Sequence, residues 1–226
     1  MKAWLDKLTE TFLTSGYYKL MLEGLGNTVI ITLGALVIGV VIGALIATVK
    51  YLAEDNRALA PAAWLCDAYV KIIRGIPVVV LLLIFYFVIF TSSEGVEVAV
   101  LTFGVNSGAY MAELIRGGIH AVDQGQMEAG RSLGLSRLQT MERIIFPQAF
   151  RHILPAIGNE FIALIKETSV AGYVAVVDVT RAGNLVRNNT YDAVNSLMLV
   201  ALTYLTLVLA LTAVLERFEK KLNKGR

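Results

Sequence analysis

Charge is scarce in this chain. Only 17% of its 226 residues are Asp, Glu, Lys or Arg, whereas a soluble domain carries about 25%. Cysteine is scarcer still. Cys66 stands alone, which excludes an intrachain disulfide, and with no thiol partner it reads as a small membrane-face residue rather than a redox centre. The two histidines, His120 and His152, leave no His/Cys cluster for a metal centre. There is no G-x4-GK-[ST] phosphate loop, so the chain does not read as an ATPase. A formal net charge of +2 is too small to imply a nucleic-acid partner. The N-terminal stretch mixes Asp6, Lys7 and Glu10 with Trp4, Leu5, Leu8 and Phe12. It lacks the apolar run of a cleavable signal peptide, and residues 1–25 are expected to form an amphipathic segment on a membrane surface.

What is abundant is apolar sequence without charge. Residues 27–49, 76–90 and 193–215 carry no Asp, Glu, Lys or Arg, and about 20 apolar residues cross a bilayer core of about 30 Å. Five spans are expected, at residues 28–51, 62–90, 97–119, 150–177 and 193–216, giving an all-α integral membrane protein with a single transmembrane domain over residues 1–226. Gly39, Gly43 and Ala47 form a small-residue stripe that lets another helix approach closely, within the chain or across a dimer. Pro77 removes a backbone donor and predicts a kink or break in the second span. Most of the 20 lysines and arginines fall in the loop after the first span, the loop after the third and the C-terminal tail. The positive-inside rule then puts the N-terminus outside and the tail inside.

One polar stretch interrupts this pattern on the inner side, QMEAGRSLGLSRLQTMERIIFP at residues 126–147, within a loop over about 120–149. Residues 127–133 predict about two helical turns. Gly134 is a natural stop, because glycine tolerates the left-handed conformation at a helix end. Ser136 with Gln139 forms a capping-box pattern that starts a second helix. Leu138, Met141 and Ile145 are expected on one face, with Pro147 ending the helix. The product is a pair of short helices whose apolar face needs a groove to occupy.

Glu128, Ala129, Gly130, Gly134, Ile144 and Pro147 resemble the E-A-A-x3-G-x9-I-x2-P motif of bacterial ABC importer permeases, with Gly130 in place of the usual second alanine. RGIPVVV from Arg74, AYMAELIRGGI from Ala109, GQ at Gly125 and Gln126, and IKETSV from Ile165 extend the likeness to the permeases of polar amino acid importers. The resemblance implies a type I ABC importer permease that works as a dimer in the prokaryotic inner membrane. It implies that Glu128, Ala129, Gly130, Gly134, Leu138, Ile144 and Pro147 couple to a cytoplasmic ATPase, which binds the ATP and Mg while this chain holds no cofactor. It also implies an external substrate-binding protein.

Polar side chains inside spans usually face a cavity or the bundle interior. Tyr110, Glu113, Asn159, Glu160 and Ser169 are therefore the substrate-binding candidates, because an amino acid needs acceptors for its ammonium and donors for its carboxylate. Glu113 also has a structural reading, as a pair with Arg116 at i,i+3. Two intramembrane acids favour cationic cargo such as arginine, lysine or histidine. An ion-gradient-driven secondary transporter is the alternative, since Pro77 and Pro155 both interrupt spans. A membrane-embedded enzyme would need a nucleophile with base, or metal ligands, facing one cavity.

Overall fold

The computed structural model describes residues 16–223, so the notional surface segment at residues 1–25 lies mostly outside the described residues. The described chain is helical throughout. α1 runs Tyr17–Ala53, α2 Ala60–Gly75 after a 3-10 turn at Arg57–Leu59, and α3 Val78–Ile84 with a π turn at Phe85–Ile89. α4 is Gly95–His120, α5 Gln124–Ser132 and α6 Arg137–Thr140, followed by a π turn at Met141–Ile145. α7 is Phe146–Glu167, continued by a 3-10 turn at Thr168–Val174; α8 is Val179–Thr190 and α9 Ala193–Asn223. Among the described residues, three helices are long and apolar enough to cross a membrane, or four if the pair broken before Val78 is one span. α7 is less apolar than these, because Arg151, His152, Glu160 and Lys166 interrupt its apolar residues.

Two expected boundaries move. α1 starts at Tyr17, well before residue 28, because Asn27 is not excluded from the helix: its Nδ2 donates to the Val177 carbonyl at 2.9 Å. The break in the second span falls where expected. Pro77 has extended ψ and caps α3, and a residue before proline is pushed out of the helical region. The fourth span is not one helix to residue 177, since the α-helix gives way to a 3-10 turn at Thr168.

Contacts divide the chain into two compact units, and α1, α4, α7 and α9 each contribute a segment to both. The described part of the first unit comprises residues 16–36, 76–104 and 162–212. Its core gathers Ile31, Ala35, Leu82, Phe103, Leu164 and Ala171, and a second cluster joins Met21, Val179, Ala182, Val186 and Val200. Asp178, fully buried, caps α8 by accepting from the amides of Thr180 and Arg181 and also accepts from Tyr204 Oη at 3.2 Å.

The described part of the second unit comprises residues 37–75, 105–161 and 213–223. Here the small-residue stripe of α1 finds its partner within the chain. A Cβ on Gly39 would stand 2.8 Å from Ser107 Oγ, and one on Gly43 would stand 2.4 Å from Met111 Cβ, so α1 and α4 touch backbone to backbone. Ala47 packs with Ile115, Val122, Ile145, Ala149 and Ile153. Cys66 is half-buried against Ile46, Val70, Ala109 and Ala112, so it is a packing residue between helices rather than a bare membrane-face side chain.

Candidate functional site

The polar insert folds much as its local grammar dictates. α5 starts earlier than residue 127, because Asp123 caps it: Oδ1 accepts from Gly125 N at 2.7 Å, the ordinary role of aspartate at a helix start. Gly134 takes φ +85. Gly134 N donates to the Arg131 carbonyl at 3.0 Å and Leu135 N to the Gly130 carbonyl at 3.2 Å, which closes the helix end as a left-handed glycine permits. The capping box forms in full. Ser136 Oγ accepts from Gln139 N at 3.2 Å, and Gln139 Oε1 accepts from Ser136 N at 2.8 Å.

Two expectations about the insert fail for a shared reason. Pro147 does not end the second helix but lies in the first turn of α7. The helical run continues through the π turn at Met141–Ile145, which interrupts the regular i→i−4 ladder just before Pro147, so the donor that proline lacks is lost at this irregular turn rather than within a regular helix. That same turn shifts the helical register, so Leu138 parts from Ile145. Ile145 is 5% exposed and buried with Ile115 and Ile153, whereas Leu138 is 60% exposed. Leu138 joins Leu133, 81% exposed, as an outward apolar side chain of the insert.

Gly130 departs from the alanine of the motif for a local reason. It is buried, and a Cβ there would lie 2.4 Å from Thr140 Cγ2 and 3.2 Å from Ile144 Cδ1. α5 crosses the next helical segment too closely for a methyl group while threonine occupies position 140. Gly130→Ala is therefore expected to cost about 1–3 kcal/mol through overpacking, and Thr140→Ala in the same chain is expected to recover much of it by removing both Cγ2 and Oγ1, the latter 2.8 Å from the same point. Thermal unfolding of the parent chain and the two variants in detergent checks this. Glu128 and Ala129 are exposed, Ile144 is half-buried, and Pro147 is exposed.

The intramembrane candidates do not share one environment. Glu160 is half-buried on α7 and accepts from Ser107 Oγ at 3.0 Å; among the described residues no ion pair reaches it. Its neighbour Asn159 is exposed. Glu113 is engaged by cations: Arg116 Nη2 stands 2.7 Å and Lys50 Nζ 3.9 Å from its carboxylate. Lys50 is shared with Asp67 at 2.6 Å. The Arg74 guanidinium lies over the Tyr110 ring, 5.0 Å from its centroid. Glu160, Asn159, Tyr110 and Glu113 thus belong to the second unit. Ser169 belongs to the first, where it lines a cavity of about 590 Å³ with Asp178, Thr180, Arg181 and Asn184. Sequence reasoning missed Ser107 and Arg74, because no periodicity links either to its partner. Among the described residues, no three His, Cys, Asp or Glu side chains converge to hold a metal ion.

This helical array, with a twice-capped polar insert between apolar spans, has known counterparts. The chain belongs to the family described as the binding-protein-dependent transport system inner membrane component, which matches residues 39–224. It is thus a multi-pass inner-membrane permease subunit, the transport component of such a system and not its ATPase. The arginine transport system permease protein ArtQ of Bacillus subtilis is 35% identical over 209 residues, covering 91% of this chain and 93% of that protein. The glutamine transport system permease protein GlnP of Escherichia coli K12 is 33% identical over 213 residues, covering 90% and 93%. A solved amino acid ABC transporter with histidines superposes with a TM-score of 0.85 at 34% identity, covering 92% of this chain and 96% of that one. The inward-facing MetNI methionine ABC transporter shares the fold, with a TM-score of 0.78 at 22% identity.

Proposed function

We propose that this chain is the permease of an ATP-driven importer for polar amino acids, with cationic ones such as arginine, lysine or histidine as preferred cargo. Family membership and likeness to arginine and glutamine permeases support the class of cargo. The observation that carries the mechanism is the insert. Two short capped helices, held at an angle by Gly134, present Leu133 and Leu138 outward beside exposed Glu128. Such a knob has no chemistry of its own and suits a groove in a cytoplasmic ATPase. The N-terminus lies outside and the insert and tail lie in the cytoplasm, in keeping with the placement of lysine and arginine. Two permease chains form the pathway, and an external binding protein delivers the amino acid. Tyr110, Glu113, Asn159, Glu160 and Ser169 are the cargo-contacting candidates, with Glu160 foremost.

The test is co-purification in mild detergent from the native membrane, followed by transport in vesicles. A stoichiometric ATPase with a phosphate-binding loop is expected, with uptake that requires ATP. Gly134→Val places a β-branched residue at φ +85, a conformation such residues avoid. Together with Glu128→Lys, it is expected to lower ATPase recovery at least tenfold. Uptake without ATP by a chain that purifies alone would replace this reading with ion-driven transport.

A further inference from the structure

Arg137 ties the insert to the end of α1. It opens α6 directly after Ser136, so the capping box fixes the backbone from which it reaches. Its Nη1 donates to Asp55 Oδ1 and its Nη2 to Glu54 Oε2, in the turn that follows α1. The Tyr51 ring lies against the same guanidinium, 4.8 Å from Cζ to centroid. Two carboxylates beside a helix C-terminus face the negative end of its dipole, and one guanidinium answers both. The Arg137 side chain is 28% exposed while Glu54 and Asp55 are 57% and 60% exposed, so the fork is the enclosed member and the acids are the rim. Lysine cannot reproduce a planar fork that also stacks on a ring.

An isolated exposed ion pair holds little, but two carboxylates and a ring on one guanidinium form a network that can bind the insert to the end of α1. Along the second unit's part of α1, Gly39 and Gly43 pack tightly on Ser107 and Met111 of α4, and Ser107 is bonded to Glu160. A helix end fastened to the insert therefore belongs to the element that abuts the cargo candidate. We propose that Arg137 is a positioning residue for transport, a strut that makes α1 follow the insert when the ATPase moves it. The proposal rests on reading the insert as the ATPase joint.

The test uses the assembled transporter, with its ATPase and binding protein, in proteoliposomes. Radiolabelled arginine, histidine and glutamine are supplied separately, and the amount imported per ATP hydrolysed is measured. Arg137→Gln is expected to lower this ratio about three- to tenfold while the ATPase stays bound. Arg137→Lys, which keeps the charge but loses the fork, is expected to fall between. The pair Glu54→Gln with Asp55→Asn is expected to match Arg137→Gln, and the triple variant to be no worse, as members of one network are. An unchanged ratio in Arg137→Gln overturns the proposal, as does a triple variant whose losses multiply. Should Arg137→Gln fail to assemble, Arg137→Lys and the carboxylate pair decide, and a full ratio in both overturns it. Glu128→Lys separates the two levels. If it lowers ATPase binding while the Arg137 variants keep full coupling, the strut alone is wrong. If it leaves binding and coupling intact, the joint is wrong and the strut goes with it.

Discussion

Gly43→Ala is expected to destabilise this permease more than Gly34→Ala or Gly39→Ala on the same helix. The new Cβ would lie 2.4 Å from Met111 Cβ, 2.8 Å from Ala112 N and 2.8 Å from the Met111 carbonyl carbon. Two of those three atoms are backbone, so no rotamer change relieves the contact and the helices have to separate. Between helices in lipid there is no hydrophobic driving force to restore the packing, and close van der Waals contact is what holds them. Overpacking of this kind costs about 1–3 kcal/mol, and a leucine at the same position costs more. Gly117 and Gly26 supply the contrast, since nothing stands within 4 Å of a Cβ built on either. Alanine there is expected to be neutral or to gain up to about 1 kcal/mol from helix propensity. Unfolding of the purified permease in mixed micelles reads all three. A neutral Gly43→Ala would mean that α1 and α4 do not meet at this stripe.

That stripe marks the line between what the residues announce and what they withhold. The spacing of Gly39, Gly43 and Ala47 announces a close helix contact, but spacing cannot name the partner, because α4 lies more than 60 residues away. Local features were legible for the opposite reason. The Ser136–Gln139 box, the left-handed Gly134 and the break before Pro77 each depend on residues within about one turn of each other, so their chemistry is written side by side. The break came from proline's missing donor, yet the same rule misled at Pro147. There a π turn upstream interrupts the regular ladder just before the proline and the helical run continues, and nothing in MERII advertises that extra residue per turn. Long-range polar pairs were invisible for lack of any pattern. Ser107 and Glu160 are 53 residues apart, and Arg137 and Glu54 are 83 apart. Glu113 with Arg116 could be foreseen because three residues on a helix bring side chains together.

Replacing Glu160 is expected to have the largest effect on transport. Of the two intramembrane acids on which the cationic preference rests, Glu113 already faces Arg116 and Lys50. Glu160 receives a hydroxyl from Ser107 at 3.0 Å, which leaves most of the roughly four acceptor positions of a carboxylate open. An ammonium or guanidinium on the cargo would fill them. A hydrogen bond to a charged group contributes about 1.5–3 kcal/mol, so Glu160→Ala is expected to raise the KM for arginine about 10- to 100-fold in ATP-driven uptake. Glu160→Gln keeps an acceptor for Ser107 but not the charge. It is expected to impair arginine nearly as much while sparing glutamine, whereas Glu113→Gln should disturb the two cargoes alike, through its effect on Arg116 and Lys50. The split between cargoes is the discriminating result, since a purely structural carboxylate would affect both equally. Full arginine uptake by both Glu160 variants would remove this residue from the pathway, and the cationic preference would lose its physical basis.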